Sequence, residues 1–81
     1  MIARIPLVLA PQPEGGFTVT SPVLPELITE GESVSEALAN AHDAFAAVVE
    51  IYEDRGRSLP TGVRVDIADG PVSVETLIAV S

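Results

Sequence analysis

The chain has 81 residues, no cysteine, and a formal net charge of −8 from 12 acidic and 4 basic residues. This length allows one domain with a small core, and the lack of cysteine excludes disulfide bonds and thiolate zinc sites. The acidic balance disfavours direct binding to nucleic acid and to anionic lipid, because both are negatively charged. No signal peptide is recognisable in residues 1–6 and no apolar run is long enough to span a bilayer, so we expect a cytoplasmic protein without membrane contact.

The first strand is predicted over residues 3–10. Pro6 interrupts this run, and because proline has no amide proton to give to a ladder, the strand should lie at a sheet edge or carry a bulge. On either side of the proline, apolar residues alternate on one face, as expected for a half-buried strand: Ile5, Leu7 and Leu9.

Two further strands should follow and complete a meander. Proline and glycine at 11–16 mark a turn, and residues 17–21 alternate again and are rich in strand-forming types. The two runs therefore predict an antiparallel hairpin. Residues 27–30 can add a third, short strand that ends at Gly31.

A long amphipathic helix is the clearest element of the sequence. Ser33 and Glu36 form a capping box at its start, and Gly56 is suited to the position just after its end. About 22 residues at roughly 1.5 Å each give a helix long enough to cross a small sheet. Its apolar stripe recurs at spacings of three and four: Val34, Ala37, Leu38, Ala41, Phe45, Val48 and Tyr52.

Two strand-like runs occupy the end of the sequence. Residues 63–67 alternate, the Asp-Gly pair at 69–70 indicates a turn, and residues 72–80 alternate again but are also apolar at Leu77 and Ala79. A strand that is apolar on both faces needs cover on both, and another subunit can supply it. We therefore predict a homo-oligomer, a dimer or a tetramer, and four candidate self-association residues: Val74, Leu77, Ile78 and Val80.

The sequence contains no arrangement of residues typical of an active site. The single histidine, His42, lies inside the predicted helix beside its apolar stripe, where packing or surface exposure explains it. None of the serines lies in a nucleophile elbow, and no phosphate-binding glycine loop occurs. Pairs such as Asp66 with Asp69 are explained as scattered surface acids. We predict no catalytic residue, no cofactor and no metal site, and a protein that is not an enzyme.

Residues 14–41 carry an ordered set of motifs that resembles the HicB antitoxin family. The set begins with Glu-Gly-Gly-Phe at 14–17, continues with a strand ending in Ser-Pro at 21–22, and then has Leu-Pro at 24–25. It continues with Thr-Glu-Gly at 29–31 and the capping box at 33–36. Each piece is common by itself, but the order and spacing in a chain of this size are fairly specific, and a looser match extends through the helix to Pro60.

The resemblance implies a fold, a function and a partner. The fold is α+β and partial RNase H-like: an antiparallel three-strand meander, one long helix packed across the sheet, and one or two further strands, in a single HicB-like domain over 1–81. HicB-like antitoxins neutralise a HicA-like toxin, a small basic ribonuclease that cleaves mRNA, by covering its active surface. An acidic chain complements such a surface. A nuclease of the RNase H type would need clustered carboxylates from the first strand onward, and residues 3–10 contain none.

The chain departs from the family pattern in three places. Glu26 and Leu27 stand where family members often have Gly-Cys, and residues 72–81 extend beyond the common core. We also expect this chain to lack the helix-turn-helix or ribbon-helix-helix segment that many members use to bind promoter DNA, and so we expect no direct DNA binding by this chain.

Exposed acids are the candidates for a partner-binding surface, although a simple solvated acidic face explains each of them equally well. We place the candidates on the outer side of the helix and near two turns: Glu14, Glu32, Glu36, Asp43, Glu50 and Asp54. The alternative to an antitoxin is an orphan HicB-like oligomer, a structural or ligand-sensing module without a toxin partner.

Overall fold

The computed structural model describes residues 2–66 and 69–80 and is α+β, as predicted. It consists of a three-stranded antiparallel sheet, one long helix and a separate sheet of two short strands. In chain order the elements are β1 (Ile2–Arg4), β2 (Val8–Pro11), β3 (Phe17–Thr20), β4 (Ile28–Gly31), α1 (Val34–Asp54) and β5 (Arg64–Asp66).

The single strand predicted over 3–10 is divided into β1 and β2 in the structure. Residues 5–7 lie between them outside any ladder, because Pro6 has no amide proton to donate and bends the run away from a continuous register. The first piece, β1, pairs antiparallel with β5, and β2 pairs antiparallel with β3. The proline therefore separates two sheets rather than marking a bulge in one.

The predicted meander is present as β2-β3-β4. Its first turn is closed by the Gln12 amide, which donates to the Gly16 carbonyl at 3.0 Å, and Gly15 and Gly16 both have positive φ, at 103° and 78°. L-amino acids other than glycine rarely adopt these angles. Gly31 is the last residue of β4. A Cβ atom at this position would overlap the backbone of Ala37. Gly31 thus allows the start of α1 to pack directly on the end of β4.

Both helix ends match the sequence prediction. The Glu36 amide donates to the Ser33 hydroxyl at 3.1 Å, while the Glu36 carboxylate accepts from the Glu32 amide at 3.4 Å, one residue before the usual capping-box partner. At the other end Gly56 has φ of 63°. The Gly56 amide donates to the Glu53 carbonyl at 3.0 Å and the Arg57 amide to the Tyr52 carbonyl at 2.8 Å, which is a Schellman motif.

The core lies between α1 and one face of the sheet. The helix supplies four of its eight buried hydrophobic residues in the described part of the chain, and all four belong to the predicted stripe. The opposite sheet face is open, with Val8 and Ile28 exposed on either side of Thr20. The buried residues are Val19, Leu24, Leu27, Ala37, Ala41, Val48, Tyr52 and Val63.

The C-terminal part supplies one further strand, β5, which falls within the predicted run at 63–67. Ile67 lies outside the described residues. Residues 71–80 form no strand in the single chain, and all of them are exposed. A strand that is apolar on both faces needs two covering layers, and α1 already covers the three-stranded sheet. Within the described residues, no helix is both long and apolar enough to cross a membrane.

Candidate functional site

Four of the predicted partner-binding acids form a single line along α1. They are spaced by seven, seven and four residues, which at about 100° per residue places them within roughly 40° of one another around the helix axis. From first to last the line is about 27 Å long. All four side chains are exposed, and we call this set the acidic row: Glu36, Asp43, Glu50 and Asp54.

The acidic row points away from the core. The buried helix residues Ala37, Ala41, Val48 and Tyr52 are centred about 145° around the axis from it. Beside the row lie three exposed alanines, Ala39, Ala46 and Ala47. Since alanine is small, these positions allow the backbone of a partner to approach the helix closely. The sequence thus folds into a smooth acidic ridge on the outer surface of the molecule.

The remaining two candidates lie at the N-terminal end of the row. Glu32 and Glu36 line a shallow depression between the first turn of the sheet and the start of α1, where the Asn40 side chain donates to the Glu30 carbonyl at 2.7 Å. Glu14 belongs to that same turn, one residue before Gly15, which also lines the depression. The structure therefore brings the turn acids to one end of the row, whereas Asp54 lies at the other.

A second polar cluster fixes the opposite end of the helix. The Tyr52 hydroxyl donates to the Glu26 carboxylate, at 3.0 Å from Oε1 and 3.1 Å from Oε2. The Arg57 guanidinium stacks 4.6 Å from the centre of the Tyr52 ring. Burial raises the pKa of the Tyr52 phenol above its ordinary value, and the hydrogen bond and charge of Glu26 raise it further, while Arg57 lowers it. We call these three residues the Tyr52 cluster.

The sequence alone does not predict the Tyr52 cluster. Its helical spacing places Tyr52 in the apolar stripe, and Glu26 stands out only as a departure from the family pattern. Glu26 lies between the buried residues Leu24 and Leu27 but is itself exposed, so no feature of the sequence near it points to Tyr52 as its partner. The cluster ties the C-terminal half of α1 to that turn and so holds the acidic row in a fixed orientation.

His42 is exposed and lies beside an apolar groove between the first residues of the chain and α1. Over residues 2–66 and 69–80, no group of three His, Asp or Glu side chains is arranged to hold a metal ion. The groove is lined by Ile2, Ala3, Ile5, Leu7, Leu27, Ala41, His42 and Phe45.

The predicted self-association residues are the most exposed aliphatic side chains of the C-terminal part. The exposed fractions are 75% for Val74, 58% for Leu77, 75% for Ile78 and 92% for Val80. Residues 76–79 border a shallow depression together with residues 33–35 at the start of α1. This apolar segment therefore lies near the N-terminal end of the acidic row and is uncovered in the single chain.

Comparison with known proteins identifies relatives of one kind. The chain is 40% identical over 77 residues to antitoxin HicB 1 of Photorhabdus laumondii, an alignment of 93% of this chain and 50% of that protein. It is 33% identical over 76 residues to antitoxin HicB of Escherichia coli K12, covering 94% of this chain and 55% of that protein. Antitoxin HicB 2 of Photorhabdus laumondii is 40% identical over 48 residues, 59% of this chain and 34% of that protein.

No family model matches the chain. The chain spans about half the length of these two full-length HicB relatives, and it aligns with them over nearly its whole length. The similarity extends well beyond residues 14–41, where the sequence motifs first indicated it. The chain is therefore HicB-like over the half of these antitoxins that it spans, which confirms the resemblance seen in the sequence.

Proposed function

We propose that this chain is an antitoxin-type binding protein that neutralises a small, basic, HicA-like ribonuclease by covering its active surface. The observation that carries the proposal is the acidic row, a line of four exposed carboxylates along one side of α1 in a HicB-like domain. A ribonuclease must present positive charge to the phosphates of its RNA. Carboxylates arranged along about 27 Å of helix can occupy those positive groups in place of phosphate.

The placement of the row suits rapid and specific association. Opposite charges on two partners steer their encounter and fix their relative orientation. The Schellman motif and the Tyr52 cluster hold the helix backbone under the row at its C-terminal end, so little backbone freedom is lost when the partner binds. The turn acids Glu14 and Glu32 extend the acidic surface beyond the start of the helix.

The same proposal includes the fold family, the extent of the domain and the absence of catalysis. We propose that the three-strand meander with α1 across it is a partial RNase H-like fold and that residues 1–81 are one HicB-like domain. The run at 3–10 has no acid to begin a two-metal nuclease site, so the fold serves binding rather than cleavage. Because the proposed toxin acts on mRNA, the complex would form in the cytoplasm.

The acidic row is tested by a triple variant, Asp43→Asn, Glu50→Gln and Asp54→Asn, measured against a HicA-like toxin encoded beside this chain. Glu36 is left unchanged because it caps the helix. At about 0.5–1 kcal/mol for each exposed charge contact, we expect affinity to fall about 10- to 100-fold. The association rate should fall with it, and RNA cleavage by the toxin should return at antitoxin concentrations that suppress it with the unchanged chain.

A matched control separates the row from net charge. The variant Glu53→Gln, Asp69→Asn and Glu75→Gln also removes three exposed acids, but from positions outside the row. It should bind and inhibit nearly as well as the unchanged chain. Equal losses in the two triple variants would show that only overall charge matters and would remove the row as the site. Failure of the unchanged chain to bind any HicA-like toxin would refute the proposed function.

One observation favours the second candidate, an orphan oligomeric module without a toxin. The uncovered aliphatic residues of the segment at 72–80 need a partner surface even when no toxin is present. The two candidate functions predict different partners for this chain. An orphan module predicts a stable oligomer and no small basic protein encoded beside it, whereas the antitoxin predicts a toxin whose cleavage of RNA stops when this chain is added.

A further inference from the structure

The segment at 72–80 has the side-chain pattern of a strand but pairs with no strand in the described part of its own chain. It lacks regular structure, and Val74, Ile78 and Val80 are each at least 75% exposed. Alternating β-branched residues favour an extended ladder. An uncovered apolar strand of this kind tends to pair with a strand from another molecule.

The segment is self-complementary around Thr76. If two copies run antiparallel with Thr76 facing Thr76, then Val72 faces Val80 and Val74 faces Ile78. On the other face Ser73 meets Ala79, so small residues oppose small residues. Glu75 then faces Leu77 rather than the carboxylate of the other copy. Cross-strand aliphatic pairs of this sort stabilise a ladder, and directly opposed like charges destabilise it.

Other registers are less favourable. Centring the pair on Glu75 would place the two carboxylates directly opposite each other. Centring it on Leu77 would leave Val72 without a partner within the segment and would set Thr76 against Ile78. The register centred on Thr76 alone pairs all nine residues from 72 to 80 and keeps the carboxylates apart.

We propose that two copies of this chain associate through an antiparallel pair of strands formed by residues 72–80, with Thr76 on the two-fold axis. Such an interface is isologous, because the same surface of both copies meets itself. Residues 76–79 lie beside the start of α1, so each domain stays close to the axis. This interface lies outside the acidic row, and it does not depend on the proposed antitoxin function.

Cysteine cross-linking tests the register directly, since the chain has no cysteine of its own. Directly opposed residues have Cβ atoms about 4.5–5.5 Å apart, close enough for a disulfide after small adjustments. Under mild oxidation Thr76→Cys should therefore form a covalent dimer. Val74→Cys and Ile78→Cys should each form little covalent dimer alone, because the two copies of each residue lie about 13 Å apart, but the two variants should cross-link when mixed.

Val80→Cys is the control at the end of the segment. In the proposed register the two copies of residue 80 are about 26 Å apart, so this variant should not cross-link. Equal cross-linking at positions 76 and 80, or no cross-linking of Thr76→Cys, would overturn the proposed register.

A second measurement tests whether the segment is the interface at all. Val74→Asp and Ile28→Asp each add one negative charge at an exposed aliphatic position, with 75% and 67% of the side chain exposed. We expect Val74→Asp to sediment as a monomer and Ile28→Asp to remain a dimer, with the helical circular dichroism of both unchanged. A dimer that survives Val74→Asp but dissociates with Ile28→Asp would assign the interface to the open sheet face instead.

Discussion

The side chain of Tyr52 is buried, donates a hydrogen bond to Glu26 and lies against the guanidinium of Arg57. Its hydroxyl donates to Glu26, so the proton on Tyr52 is held more tightly in the folded chain than in the unfolded one. Burial and Glu26 both raise the pKa of the phenol above its ordinary value of 10.0, against the opposing effect of Arg57. A raised pKa stabilises the fold below pH 10, and this contribution is lost as the pH rises through the folded value.

The composition makes this titration measurable. The chain has one tyrosine and neither tryptophan, cysteine nor lysine, so between about pH 9 and pH 12 the phenol is the only side chain expected to change charge. We expect the absorbance of phenolate to rise with a midpoint above 10.0. Glu26→Gln should lower that midpoint without bringing it below the ordinary value, because burial remains the largest cause.

The stability of the fold should follow the same titration. The free energy of unfolding should decrease above pH 10 in the unchanged chain, and Tyr52→Phe should remove this decrease, since phenylalanine has no proton to lose. A phenolate midpoint at or below 10.0 would contradict the arrangement of the Tyr52 cluster.

At the scale of elements, the junction between β4 and α1 depends on Gly31. A Cβ there would overlap the backbone of Ala37, and backbone atoms cannot move aside as a flexible side chain can. We expect Gly31→Ala to lower the free energy of unfolding by about 1–3 kcal/mol. For a domain of this size the melting temperature should fall by about 4–8 °C for each kcal/mol, as followed by circular dichroism.

Gly70→Ala is the matched control, because a Cβ at Gly70 meets no atom within 4 Å. Its effect on stability should be small. Equal melting temperatures for the two alanine variants would show that the strand and the helix do not approach each other as closely as the structure indicates.

These elements also show which parts of the fold the sequence can predict. Ser33 and Gly56 mark the ends of α1 correctly because capping depends on residues within one turn. The division at Pro6 and the state of residues 72–80 depend on which strand is available as a partner, and that is set by distant parts of the chain. The contact between Glu26 and Tyr52 joins residues 26 positions apart, so local patterns gave no direct sign of it. The acidic row was predictable because helical spacing alone aligns its members.

At the scale of the whole molecule, the net charge of −8 should act in opposite directions on the two proposed interactions. A basic toxin is attracted to the acidic row, whereas two copies of this chain repel each other, most strongly where Glu32 and Glu36 lie near the proposed axis. Salt screens both effects, since the Debye length falls from about 30 Å at 0.01 M to about 3 Å at 1 M.

Raising the salt concentration should therefore weaken toxin binding and strengthen self-association. Calorimetry with the toxin and sedimentation of the chain alone, each over about 0.01–1 M salt, measure the two trends separately. The double variant Glu53→Gln and Asp69→Asn, which has a net charge two units less negative and leaves residues 72–80 unchanged, should dimerise more readily at low salt and differ little from the unchanged chain at high salt. If self-association weakened as salt was added, attraction between opposite charges would be holding the copies together, and the aliphatic pairing of residues 72–80 would not be the main cause of the dimer.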